Sequence, residues 1–414
     1  MQTQPASAAE RLSRRLRPLL VAQFFQGAVL WYPIEKLFMR QIGFDDASVG
    51  LMAAVYAGAT LLIETQSGIL ADRWSRKGVL VLAGIALLLN ALVVGLSHDV
   101  PTYIASALIL AVYFALTSGT VDSIVYDAVL EETGNSDGFE ERLGRVRVLT
   151  SVTSVTGALA GGVLAQLVEP RLAYFATIPF MAISVVALLR FREPRLHKVA
   201  EATSIGAHIR TTYRAVSHGG ALVPIIAILV ATAVLLQVIL EFGPLWLVAM
   251  AAPTFLYGPH GAGLLSSFGL GGMLGGRVRP VDQLPSTAVV VGLMLMASVV
   301  LVAVHDSVFA TIAQVGLASL LVAVSIAFTR LLHDAIPSNV RAGVSSAVGS
   351  LTWMAFLPFA LLFGAISKNS GVFDAGWLIV ATTVGLSVAL VRVALARRVS
   401  QAPQRDLAAV RRAA

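Results

Sequence analysis

Five carboxylates fall inside long apolar stretches of this 414-residue chain: Glu35, Glu64, Asp122, Asp127 and Glu241. A charge in such surroundings is costly to retain, so each is a candidate for proton transfer, cation binding or ion pairing. Asp122 follows Ser118-Gly119-Thr120 and precedes the next polar segment by about eight residues, roughly 12 Å along a helix. Desolvation there favours the protonated carboxyl, which suits uptake and release of a proton; a fixed ion pair or a hydrogen-bonded packing contact is the alternative. Glu35 lies in Trp31-Tyr32-Pro33-Ile34-Glu35-Lys36. Aromatics beside an acid suit a flat cationic ligand, and equally an interfacial belt in which Lys36 neutralises Glu35. Glu241, in Leu240-Glu241-Phe242-Gly243-Pro244, has no base beside it and is a candidate to line a substrate cavity. Glu64 could line the same cavity or bond to a neighbouring helix.

The elements that position these acids follow from composition. The chain is 57% hydrophobic and 13% charged, with mean hydropathy +0.81. Soluble domains carry about 25% charge. Lipid is therefore the solvent for most of the chain, and its backbone must pair internally. No ten-residue alternation is present, so helices are expected and a barrel is not. Twelve segments reach the length needed to cross a bilayer, near 18–39, 48–71, 79–97, 102–130, 146–168, 173–191, 221–250, 260–276, 286–304, 308–333, 342–367 and 374–396. The expected fold class is an all-α membrane protein. Arg11, Arg14, Arg15 and Arg17 precede an apolar run too long for a signal peptide, so that run reads as a retained first span.

Thirty residues are Lys or Arg. With the N-terminus in the cytoplasm, only Lys36, Arg40, Arg171 and Lys368 fall near the outer side, leaving twenty-six inside or at helix ends bordering it. The asymmetry places both termini in the cytoplasm; Arg outnumbers Lys twenty-six to four, a bias that hints at a bacterial genome, so a bacterial cytoplasmic membrane is the expected location. The asymmetry also accounts for the net charge of +7, so nucleic acid is not an expected partner. There are no cysteines and the seven histidines are scattered, so no metal or other cofactor is expected. No Gly-x-x-x-x-Gly-Lys-Ser/Thr loop is present, so ATP is not expected to drive the protein directly. No nucleophile–base set suggests an enzyme.

The stretch 192–220 is the longest polar segment, and an amphipathic surface helix near 204–217 or a solvated linker both fit it. It divides the chain into an N-terminal half (1–192), a linker (193–220) and a C-terminal half (221–414). The halves read as repeats. Gln26 precedes Pro33 by the same seven residues that separate Gln237 from Pro244. Gly68, Asp72 and Arg73 recur as Gly272, Gly276 and Arg277, and Tyr126-Asp127 as His333-Asp334.

The segment Gly68-Ile69-Leu70-Ala71-Asp72-Arg73-Trp74-Ser75-Arg76-Lys77, placed between two membrane-length runs, resembles the loop signature of the major facilitator superfamily, Gly-x-Leu-Ala-Asp-Arg-x-Gly-Arg-Lys. Ser75 replaces the second glycine. The resemblance implies two pseudo-symmetric six-helix bundles with substrate held between them. It also implies a gating role for Gly68, Asp72, Arg73, Arg76 and Asp127: Arg76 pairs with Asp127, Asp72 faces the start of helix eleven, and such contacts latch the cytoplasmic side. Direct substrate contact is the alternative for Asp127. Gly157-Ala158-Leu159-Ala160-Gly161-Gly162 resembles the end of the family's antiporter motif, with Ala158 where the motif has proline; ordinary small-residue packing is the alternative. The expected function is proton-coupled efflux of small hydrophobic or cationic molecules by a monomer in membrane lipid. Import of a nutrient, or a non-transporting sensor or lipid-handling role, are the competing readings.

Overall fold

The computed structural model describes residues 8–117, 120–135, 138–194, 222–277, 284–335 and 341–413, with the backbone alone for 64–73, 140, 276–277, 341–343, 345–346 and 399–413. Every regular element among them is helical. In chain order they are α1 (Ala8–Gly27), α2 (Glu35–Gln41), α3 (Asp46–Arg73), α4 (Arg76–Leu96), α5 (Val100–Thr117), α6 (Thr120–Thr133), α7 (Phe139–Leu167), α8 (Pro170–Arg190), α9 (Val223–Phe242), α10 (Pro244–Ala249), α11 (Tyr257–Arg277), α12 (Leu284–Ala303), α13 (Ser307–Ala335), α14 (Arg341–Ser370) and α15 (Val372–Ala413). Among the described residues ten stretches are long and apolar enough to cross a membrane, α5 with α6 and α9 with α10 each making one. The first and eighth expected spans fall short of that measure for local reasons. The charged first half of α1 dilutes its apolarity, and the run expected to continue to residue 39 breaks at Gly27. In α11 glycine replaces larger apolar residues.

The chain divides into two compact units, Met1–Ala202 with Ala252–Leu265, and Thr203–Ala251 with Ser266–Ala414. The expected division at 192 and 220 kept everything after 220 together; in the structure the start of α11 belongs with the first unit. The linker expected at 193–220 lies outside the described residues beyond position 194.

Within the first unit, α4 packs on α5 and α8, and α1 on α7 and α8. Within the second, α12 packs on α13 and α15, and α9 on α14 and α15. The same four pairings thus recur in each unit, as duplication of a six-helix bundle requires. The matched prolines mark matched breaks: Pro33 opens the short helix Tyr32–Ile34 after α1, and Pro244 opens α10 after α9. Proline removes a donor and clashes with the preceding turn, so the helix must restart there.

The core of the first unit explains why α1 is a helix. Leu12, Leu16 and Leu19 recur at helical spacing and pack on Leu80 of α4, Ile124 and Ala128 of α6, and Leu188 of α8. Gly43 and Gly371, at φ +96° and +95°, make the tight turns into α3 and α15, where a side chain would be strained.

Candidate functional site

At the arginine-rich end of the first unit, Ser75 caps α4 by accepting from the Gly78 amide at 2.8 Å. The replacement of the motif's glycine therefore has a local purpose. Capping sets the direction of Arg76, whose guanidinium donates to Asp127 at 2.6 Å; the two side chains are only 16% and 15% exposed. The pair joins α4 to α6 inside one unit. Glu193, which sequence reasoning passed over, completes the site. Its carboxylate accepts from the Ser75 hydroxyl at 2.6 Å and from the Arg76 and Lys77 amides at 2.6 and 3.2 Å. An anion thus sits on the positive end of the α4 dipole. Gly68, Asp72, Arg73 and Glu64 lie along α3, and their side chains fall outside the described residues.

Asp122 opens α6 and is bound by Arg147 of α7 at 2.9 Å, the side chains being 45% and 66% exposed. Its base comes from the next helix, which is the ion pair given above as the alternative to a proton site. Glu241 is half-buried in the last turn of α9. Beside it, Gln314 of α13 donates to the Gly243 carbonyl at 3.1 Å, and Phe242 stacks on Phe363 of α14 at 4.5 Å. The turn that holds Glu241 is therefore fixed from two sides.

At the opposite end of the first unit, Glu35 accepts from Lys36 at 3.0 Å and from the Tyr103 hydroxyl at 2.8 Å. Tyr103 and Tyr174 share a hydrogen bond of 3.2 Å, and Trp31 stacks on Tyr174 at 5.5 Å. Lys36 is 2% exposed, so the pair is closed in rather than snorkelling. Arg40 binds Asp46 and the Phe44 carbonyl; burial pulls its guanidinium below its ordinary value, against the opposing pull of Asp45 and Tyr257. Arg171 donates to the Gly95 carbonyl at 2.7 Å and lies over the Phe38 ring. Lys36, Arg40 and Arg171, all expected on this side, are thus held by specific bonds.

The three glycines of the 157–162 run pack closely against backbone. A Cβ on Gly157 would lie 3.2 Å from the Val29 amide, one on Gly161 would strike the Leu30 carbonyl, and one on Gly162 would lie 2.5 Å from the Gly258 backbone. One face of α7 therefore meets the broken segment after α1 and the start of α11. Pro33 closes the same contact, 2.6 Å from where a Gly261 Cβ would stand. No signal in the sequence ties Gly258 to this run.

The Major Facilitator Superfamily profile matches residues 19–357. An uncharacterised MFS-type transporter of Yersinia pestis is 29% identical over 165 residues, 39% of this chain and 41% of that protein. The nitrite extrusion protein of Bacillus subtilis is 26% identical over 154 residues, 36% of this chain and 39% of that protein. The chain thus spans less than half the length of these curated relatives. The crystal structure of nucleoside transporter NupG superposes with a TM-score of 0.69 at 16% identity, covering 93% of this chain and 98% of that one. Ten membrane-length helical stretches among the described residues, helix pairings repeated in two units, the loop with its capped Arg76, and a profile match over most of its length make this chain a member of the major facilitator superfamily.

Proposed function

We propose that this family member exports small uncharged or cationic molecules in exchange for protons, opening to one side of the membrane at a time. The observation that carries the charge preference is the distribution of bases. Residues 41–72 and 215–276 contain no Lys or Arg, yet they retain Glu64 and Glu241. An anion held in the membrane needs a base to neutralise it, whereas a cation or proton needs an acid. The anion in the name of the nitrite extrusion relative therefore does not transfer; the outward direction in that name agrees with export. Antiport is supported by the 157–162 run, whose three glycines are each required by a close backbone approach, as a built contact demands and casual small-residue packing does not. Glu241 is assigned as the proton carrier. Asp122, half-exposed against a permanent positive charge, is assigned to an ion pair.

The test is uptake by inverted vesicles holding the full-length protein, with the lumen acidified and a panel of lipophilic cations, neutral aromatics and nitrate outside. Accumulation of a cation or neutral compound, abolished by a protonophore, is expected. Accumulation of nitrate alone, or response to sodium and not to protons, overturns the reading. Uptake confined to right-side-out vesicles would assign import.

A further inference from the structure

A cavity of about 750 Å³ opens at the arginine-rich end of the first unit, sharing only Glu193 with the loop site described above. Five arginines line it, Arg11, Arg14, Arg15, Arg190 and Arg192, against three acids, Glu131, Glu132 and Glu193. All three acids are already engaged. Arg15 bonds Glu131 and Glu132 at 3.0 and 2.8 Å, Arg11 reaches Glu132 at 3.4 Å, and Glu193 caps α4. Arg14, Arg190 and Arg192 are exposed and form no ion pair among the described residues. They come from the second turn of α1, the last turn of α8 and the segment just beyond it, so three separate elements point positive charge at one hollow. Pro18, also in the lining, marks where α1 turns from charged to apolar. The cavity therefore stands at the level where an apolar helix surface gives way to charge.

We propose that this cavity binds the phosphate of an anionic phospholipid headgroup from the cytoplasmic leaflet. Guanidinium forks suit phosphate oxygens in charge and geometry. The volume is that of a ligand site and exceeds a single ion's need. The apolar surface of α1 below Pro18 continues towards where acyl chains lie, which a soluble phosphate ester would leave unused. Placement in the cytoplasmic leaflet rests on the Lys and Arg asymmetry of the sequence.

The experiment is native mass spectrometry of the full-length protein in mild detergent, titrated with phosphatidylglycerol or phosphatidylcholine of matched chains. The expected result is one phosphatidylglycerol retained in preference to phosphatidylcholine. Combined Arg14→Gln, Arg190→Gln and Arg192→Gln should weaken that adduct about tenfold or more, while Arg330→Gln with Arg392→Gln in the second unit leaves it unchanged. Arg14→Gln alone, a single exposed change, should weaken it measurably and guards against misfolding of the triple variant. Equal binding of the two lipids, or equal loss in the control variant, overturns the site. Displacement of the lipid by glycerol 3-phosphate at matched concentration overturns the lipid assignment in favour of a soluble phosphate ester.

Discussion

Arg147 reaches across from α7 to bind Asp122 at the start of α6, 2.9 Å away and half in the open. A pair so exposed contributes about 1 kcal/mol or less to stability. Asp122→Asn and Arg147→Gln should therefore fold normally, and each should slow transport only a few-fold. Glu241→Gln should instead abolish accumulation driven by a pH gradient while downhill exchange of substrate persists. Vesicle transport with and without an imposed gradient separates the two. If Asp122→Asn uncouples transport and Glu241→Gln does not, the assignments are reversed.

The Arg76–Asp127 pair is a different case, because both side chains are largely enclosed. Removing one partner breaks a largely enclosed charge-assisted hydrogen bond, at about 1–3 kcal/mol. Asp127→Asn should lower the melting temperature in detergent by several degrees and increase labelling of cysteines placed at the arginine-rich end. Exchanging the two residues should recover part of the stability. No change in melting or accessibility would remove the latch.

Alanine scanning of α7 glycines offers an internal control. Gly161→Ala drives a methyl into the Leu30 carbonyl and should cost about 1–3 kcal/mol or more, with loss of transport. Gly144→Ala on the same helix meets nothing within 4 Å. It should be neutral or stabilising by up to about 1 kcal/mol. Thermal melts of the two variants decide whether close approach or helix propensity governs the run.

The absence of native cysteine allows a clean test of orientation. Single cysteines at Asn135, exposed after α6, and at His98, between α4 and α5, should label oppositely with an impermeant thiol reagent. Only His98→Cys should react in intact cells. Reaction of Asn135→Cys from outside would invert the assigned topology.

Much of this arrangement was legible in the sequence because a bilayer restricts what it accepts. Run length marked the crossings, and two prolines at equal distance from a glutamine marked equivalent breaks in α1 and α9. The partnership of Arg76 with Asp127 followed from the loop motif. What stayed hidden were contacts between helices that periodicity cannot choose among. Arg147 lies twenty-five positions from Asp122, and nothing local to either announces the other. Glu193 looked like one acid in a polar linker, yet it is the anion on the α4 terminus. The start of α11 follows the linker in sequence but packs with the first unit, because two glycines allow backbones to meet there. Side-chain size was readable; the identity of the surface it would touch was not.

Arg15 has a consequence for how the protein is made. Its guanidinium bonds to Glu131 and to the carbonyl of Arg192, residues synthesised 116 and 177 positions later. Helix α1 thus leaves the ribosome carrying a charge whose partners do not yet exist. It must wait in the polar layer at the membrane edge until α6 supplies the first of them. The first bundle therefore closes its polar bonding in two stages, the ion pairs to Glu131 and Glu132 first and the carbonyls of Arg192 and Glu193 last.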